Sequence, residues 1–247
     1  MTMQHHTLER MQSLKLFGMA MEFEQQIANP TMDDIPFEQR LRILVDQEAT
    51  YRDNKRLQML LKKAKLKVSA SVENIDYRAQ RGVDKAQILS LTTLDWMRHN
   101  INVVLTGPTG TGKTWLACAF GNQACRSGFS TFFIRVPMLI DELCSARATN
   151  MYQKRLQQFE KFDLLILDDW GIESMNARAQ NDLLEIIDSR AGKKSTVITS
   201  QFPMEKWHDA LTNKTVADAI LDRIVHSSHA IKLSGESLRK TSRGKGK

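Results

Sequence analysis

Apolar and polar positions along the chain follow two regimes. From residue 8 to about residue 67, apolar side chains recur at the three-to-four-residue spacing of a helix face. From residue 101 onward, short and nearly continuous apolar runs alternate with helical stretches. In the first regime Leu16, Met19, Phe23 and Ile27 fall on one side of a helix that Asn29-Pro30 breaks. Asp33, Asp34 and Pro36 are start signals for the next helix, where Phe37, Leu41, Leu44 and Val45 form an amphipathic stripe. A further helix is expected over 48–66, with Leu57, Leu60, Leu61 and Ala64 on one face and Arg52, Lys55, Arg56, Lys62 and Lys63 on the other. Residues 67–74 read as a linker. Asp84 is placed to cap a helix running to about residue 98, with Ile88, Leu91 and Leu94 apolar.

In the second regime strands are predicted at 101–105, 131–136, 164–167, 195–200 and about 230–233. Between them the pattern predicts helices at 113–127, stopped by Gly128, and from Pro137 to about 146. Others are expected at 151–161, 177–191 (ended by Gly192), 203–211 and 215–225. Strands alternating with helices define an α/β fold whose parallel sheet is covered on both faces.

The join between the first strand and its helix carries the clearest chemistry: Gly107-Pro108-Thr109-Gly110-Thr111-Gly112-Lys113-Thr114. Glycines let a backbone fold around an anion with its N–H groups inward, and the helix that follows adds its positive end. Lys113 then reaches the outer phosphates of a nucleotide and the Thr114 hydroxyl is a Mg²⁺ ligand. A glycine-rich turn beside a surface lysine is the plain alternative; the strand–loop–helix setting argues against it.

A second element strengthens the reading. Four apolar residues, Leu164 to Leu167, run into Asp168-Asp169. At the carboxyl end of a central strand, Asp168 is expected to hold the Mg²⁺ shell and Asp169 to orient the attacking water. A third element, 196–201, is a strand that ends in polar residues, and Gln201 is the candidate amide near the γ-phosphate. A fourth stretch, 219–224, sets Arg223 after an apolar helical run. Taken alone, Arg223 would pair with Asp222 or Asp218.

Composition narrows the setting. The chain has 247 residues, 42% of them hydrophobic, which suffices for one large domain and a smaller one. No apolar run has spanning length and the first ten residues lack the apolar core of a signal peptide. The three cysteines, Cys118, Cys125 and Cys144, form no CxxC pair, so reduced thiols and a cytoplasmic location are expected. Cys118 and Cys125 read as packing residues. The net charge is +7, which permits nucleic-acid binding. Between Arg52 and Lys67 only Asp53 is acidic, so that face is either a solvated helix surface or a contact for DNA phosphates.

Together these stretches resemble the AAA+ ATPases of the initiator and helicase-loader branch, and more narrowly the IstB-like transposition helper ATPases of insertion sequences. The resemblance covers nearly the whole chain. It rests on Ile75-Asp76-Tyr77-Arg78, Arg81-Gly82-Val83-Asp84, the phosphate loop, LLILDDWG at 164–171, ITSQ at 198–201, AILDRIVH at 219–226 and GESLRK at 235–240. It implies an AAA+ P-loop sheet after a small all-helical N-terminal domain. The division expected is 1–67 helical, 68–100 linker and adenine-side segment, 101–238 ATPase domain and 239–247 basic disordered tail. It implies ATP and Mg²⁺, self-assembly on DNA with ATP at subunit interfaces, and a transposase as partner. By this likeness Gln201 is the first sensor, Arg223 the arginine finger, and Tyr77 lies near the adenine. Two positions depart from the wider AAA+ pattern: Asp169 where glutamate is usual and Gln201 where asparagine is usual. The shorter carboxylate implies slow or partner-dependent hydrolysis, and the few residues after Arg239 leave little room for a helical lid.

Three other readings remain open at this point. They are a helicase loader of the same branch, a small-molecule P-loop kinase, and a DNA-binding protein with a vestigial nucleotide site. About a hundred residues ahead of the loop argue against the kinase, and the full set of Lys113, Thr114 and Asp168 against the vestigial site.

Overall fold

The structure, a computed structural model, describes residues 3–77, 82 and 84–237. The expected basic tail, and Arg78, Arg81, Val83 and residues 238–240 of the signature stretches, lie outside the described residues. The chain divides into two compact units, Met1–Met59 and Leu60–Lys247.

The first unit is helical: α1 (Met3–Ser13), α2 (Phe17–Ala28), a 3-10 turn at Pro30–Asp34, and the start of α3 (Phe37–Ala64). The two helices expected over 37–45 and 48–66 are one, since neither Gly nor Pro interrupts residues 45–48. The expected apolar stripes also shift. Leu44 is buried, but Phe37, Leu41 and Val45 are exposed. Helix α2 buries Gly18, Ala20, Glu22 and Gln26 in place of the stripe ending at Ile27, which is 42% exposed. The reason is polar. The Glu48 carboxylate of α3 accepts from the N–H groups of Gly18 (2.7 Å) and Met19 (3.1 Å), satisfying the start of α2. A Cβ at Gly18 would lie 2.6 Å from the Gln47 carbonyl, so glycine permits this approach. Gln26 donates to Glu22 and to the Arg40 carbonyl, both at 3.2 Å, so the buried amide is satisfied. Burial would raise the Glu48 carboxyl, but Arg52 and the two N–H donors outweigh it and hold it below its usual range.

The second unit is built on a five-stranded sheet in the order β2-β3-β4-β1-β5, with every pairing parallel. Ahead of it come α4 (Lys85–Thr92) and α5 (Asp95–Arg98). The strands are β1 (Asn102–Thr106), β2 (Thr131–Arg135), β3 (Leu164–Trp170), β4 (Ser195–Ser200) and β5 (Ser228–Lys232). Between them run α6 (Lys113–Arg126), α7 (Val136–Ala148), α8 (Tyr152–Lys161), α9 (Ala177–Arg190), the short α10 (Trp207–Ala210) and α11 (Lys214–Val225). Leu143, Leu183 and Ile220 of α7, α9 and α11 pack with Leu165 and Leu167 on one face of the sheet. Ile88, Trp96 and Phe120 of α4, α5 and α6 pack with Leu164 and Ile166 on the other. Both faces are covered, as the apolar runs predict.

Asp84 caps α4 as expected, accepting from the Ala86 N–H at 2.9 Å, but the helix to residue 98 is broken. Leu94 turns left-handed (φ 62°), which sets Leu91, Leu94, Trp96 and Met97 into one core. The Trp96 indole N–H then closes the turn on the Leu91 carbonyl at 2.9 Å. The helix expected at 203–211 is a 3-10 turn, Met204–Lys206, followed by α10. At the amino ends of β3 and β4, Arg190 is 1% exposed and donates to the carbonyls of Phe159, Phe162 and Ser195. It thereby caps α8, and burial pushes the guanidinium down to about 10. Cys118 and Cys125 are buried in the core and burial pushes both thiols up, which suits packing. Among the described residues no helix is long and apolar enough to cross a membrane.

Candidate nucleotide-binding site

Because β1 lies between β4 and β5, and β3 is next to β4, the carboxyl ends of three strands gather one set of polar side chains. The loop leaving β1 wraps closely under the segment that follows β5. A Cβ at Gly107 would sit 2.1 Å from the Leu233 carbonyl oxygen, and one at Gly110 2.1 Å from the Ser237 hydroxyl. Both glycines have positive φ, 142° and 86°, so larger residues are excluded twice over. Gly112, left-handed in turn, starts α6, so the amino end of that helix borders the loop. Within the loop the Thr111 hydroxyl donates to the Pro108 carbonyl at 2.9 Å. Lys113 is 7% exposed, and its ammonium bridges the carbonyls of Gly107 (2.7 Å) and Pro108 (2.8 Å). The cation therefore lies along the loop that is expected to hold phosphate.

The next residue, Thr114, donates its hydroxyl to Asp168 Oδ1 at 2.8 Å. Thr199 of β4 donates to the same oxygen at 2.6 Å and accepts the Asp169 N–H at 3.1 Å. This junction is a β-bulge. The register runs Leu167 to Ile198 and then resumes at Trp170 to Ser200. Asp169 takes the left-handed conformation (φ 63°) as the extra residue. Trp170 then joins the same core face as Leu165 and Leu167, a face that strict alternation would have given to residue 169. The strand predicted to end at Leu167 thus continues through the acid pair. Asp168 is wholly buried, and its Oδ2 makes no hydrogen bond. A buried carboxylate oxygen that accepts no hydrogen bond, beside a threonine hydroxyl, is the hard oxygen set that Mg²⁺ takes, so Thr114 and Asp168 fit the metal.

Asp169 is held differently. Arg135, the last residue of β2, donates its Nε to Asp169 Oδ2 at 2.7 Å. From the end of β4, Gln201 Oε1 accepts the Thr109 hydroxyl at 2.7 Å, tying that strand to the phosphate loop. Tyr77 packs against the α6 face of the core, with the Lys85 ammonium 5.7 Å from its ring centroid, and burial pushes its hydroxyl up.

Arg223 stands apart. With Asn102, Arg190 and Thr196 it lines a hollow at the amino ends of β1 and β4, whereas the phosphate loop leaves the carboxyl end of β1. Its partner is neither Asp222 nor Asp218: Nε donates to Asp188 of α9 and Nη1 donates to the Ala219 carbonyl at 2.9 Å. Asp222 and Asp218 face His226 (3.6 Å) and His208 (3.2 Å) instead. The basic residues Arg52, Lys55, Arg56, Lys62 and Lys63 are exposed along α3; Arg52 pairs with Glu48 at 2.6 Å, and the Lys55 ammonium lies 5.4 Å from the Phe17 ring centroid.

Sequence reasoning missed three groups at the acid pair: Thr199, Arg135 and Lys67, whose ammonium is 3.6 Å from Asp168 Oδ2. Only Thr199 left a signal, a hydroxyl inside the apolar end of β4.

A parallel sheet in this order, with a phosphate loop after β1 and acids ending β3, defines an AAA+ P-loop ATPase fold. The model of the family described as IstB-like ATP binding protein matches residues 9–246, and the chain belongs to that family. It is 43% identical over 241 residues to an insertion sequence ATP-binding protein, y4pL, of Sinorhizobium fredii, covering 98% of each chain. Among solved structures it superposes on DnaI (TM-score 0.58, 24% identity, 67% of this chain and 91% of that one). It also superposes on the DnaC helicase loader (TM-score 0.55, 20% identity, 67% and 97%). These structural likenesses establish the fold, and family membership makes this an ATP-binding protein of the insertion-sequence type.

Proposed function

We propose that the protein is an ATPase that self-assembles on target DNA in its ATP-bound form and helps a partner transposase insert a mobile element. The observation that carries the nucleotide half is the buried Asp168 carboxylate, held by Thr114 and Thr199 with a second oxygen that accepts no hydrogen bond, beside the Lys113 loop. A magnesium ion held by Thr114 and Asp168 would supply charge neutralisation for the nucleotide's phosphates. In this reading the loop N–H groups and Lys113 bind the phosphates, Asp169 orients the attacking water, and Gln201 faces the γ-phosphate. Tyr77 borders the adenine. A loader function has only fold-level support, whereas relatives such as y4pL are named for insertion sequences, which favours transposition.

Asp169 is one methylene shorter than glutamate and is shared with Arg135, so turnover should be slow until a partner draws Arg135 away. Asp169→Ala should leave nucleotide affinity within about twofold and lower hydrolysis by about 10²-fold. Equal losses of binding and turnover would instead make Asp169 the metal ligand.

The DNA half rests on the exposed basic residues of α3 and the net charge of +7. Duplex DNA of unrelated sequences should stimulate ATPase activity similarly. Affinity should fall steeply between low and moderate salt, by about 0.9 log units per log unit of salt for each phosphate neutralised. A flat salt dependence, or full binding after charge reversal at Lys62 and Lys63, argues against this surface.

A further inference from the structure

The linker after α3 brings a cation to the acid pair. Lys67 Nζ lies 3.6 Å from Asp168 Oδ2, the oxygen that accepts no hydrogen bond. Asp168 is wholly buried, while the Lys67 side chain is 43% exposed. The backbone around Lys67 is fixed on α6. Leu66 fills the space over Gly121, where a Cβ would meet its Cδ2 at 2.8 Å. The Cys118 sulfur faces the backbone of Val68 and Lys67, and Ala70 is buried in the same core. The four-carbon side chain of Lys67 thus reaches Asp168 from a backbone anchored on α6, with its outer part in solvent.

We propose that Lys67 is the counter-ion of Asp168 that the metal must displace, and that it sets how tightly the site takes Mg²⁺. The inference rests on reading Thr114 and Asp168 as the metal site. A Mg²⁺ ion held by Thr114 and Asp168 would compete with the Lys67 ammonium for that oxygen. Two cations on one buried carboxylate oxygen repel, so the metal enters as Lys67 leaves for solvent. Without its ammonium the Asp168 charge would be buried with hydroxyl donors alone, an arrangement that costs stability. Lys67 thus offsets the charge of the buried carboxylate, and in exchange weakens the metal's hold on it.

The test uses the full chain and a fluorescent, non-hydrolysable ATP analogue, titrated in Mg²⁺ and in EDTA. The ratio of the two affinities measures how much the metal contributes. Lys67→Met should raise that ratio roughly 3- to 10-fold through tighter binding in Mg²⁺, as expected for a half-exposed pair. Lys67→Arg should restore a ratio near that of the unaltered protein. An unchanged or lower ratio in Lys67→Met overturns the proposal, as does a rise that comes wholly from weaker binding in EDTA. Lys67→Gln, with circular dichroism on each variant, covers the case in which Lys67→Met misfolds. If the unaltered protein gains nothing from Mg²⁺, the metal-site reading falls and this inference falls with it. If the unaltered protein does gain while Lys67→Met matches it, the site stands and Lys67 has no part in its affinity.

Discussion

Lys113→Ala should bind a fluorescent ATP analogue about 10²-fold more weakly than the unaltered protein and lose its ATPase activity. Lys113 is 7% exposed and its ammonium bridges the carbonyls of Gly107 and Pro108 at 2.7 and 2.8 Å, so it already lies in the loop where phosphates would rest. A charge-assisted contact to phosphate in such a partly desolvated place is the strongest single polar interaction the loop offers. The fold should survive, because α6 is anchored by Leu116, Phe120 and the buried cysteines. Circular dichroism and a melting curve check that point, and a nucleotide titration checks the rest. Undiminished turnover in a folded Lys113→Ala protein would move the phosphate site elsewhere.

The second large effect concerns Arg223. A parallel strand of five residues spans about 13 Å at roughly 3.3 Å per step. Arg223 is at the amino ends of β1 and β4, so its guanidinium is a strand's length from its own phosphate loop. We expect it to serve the γ-phosphate of a neighbouring copy, with ATP bridging one copy's Lys113 and the next copy's Arg223. Arg223→Ala should then bind nucleotide normally, assemble poorly, and lose about 10³-fold in turnover. Mixed with Lys113→Ala protein it should regain activity, because one mixed interface joins an intact pocket to an intact arginine. The pair with Asp188 is half-exposed and contributes about 1 kcal/mol or less, so an incoming phosphate can compete for Arg223. Absence of rescue, with ATP binding lost in Arg223→Ala alone, would assign the residue a structural role beside Asp188.

The sheet was largely legible because its strands are buried on both sides. Runs such as Leu164–Leu167 leave few alternatives, and Gly128 and Gly192 mark helix ends through positive φ of 86° and 68°. The phosphate loop was legible for a related reason, since its chemistry is local in sequence. What stayed hidden depends on contacts made at a distance. Arg135 and Lys67 are ordinary basic residues in the sequence, and only the pairing of β2 with β3 and the packing of Leu66 on α6 bring them to the acids. The bulge at Asp169 follows from Trp170 needing a core face that simple alternation denies it. In the helical unit the apolar stripe misled because polar groups decide the packing: Glu48 and Gln26 draw α2 onto α3, and Ile27 is left exposed.

The claim that ATP joins copies of this chain on DNA is tested most directly by particle mass in solution. The unaltered protein, with duplex DNA and Mg²⁺, should form multi-subunit particles with a non-hydrolysable ATP analogue and much smaller ones with ADP. Analytical ultracentrifugation reads both states on the same sample. The same mass with either nucleotide, on DNA that the protein demonstrably binds, would contradict the account.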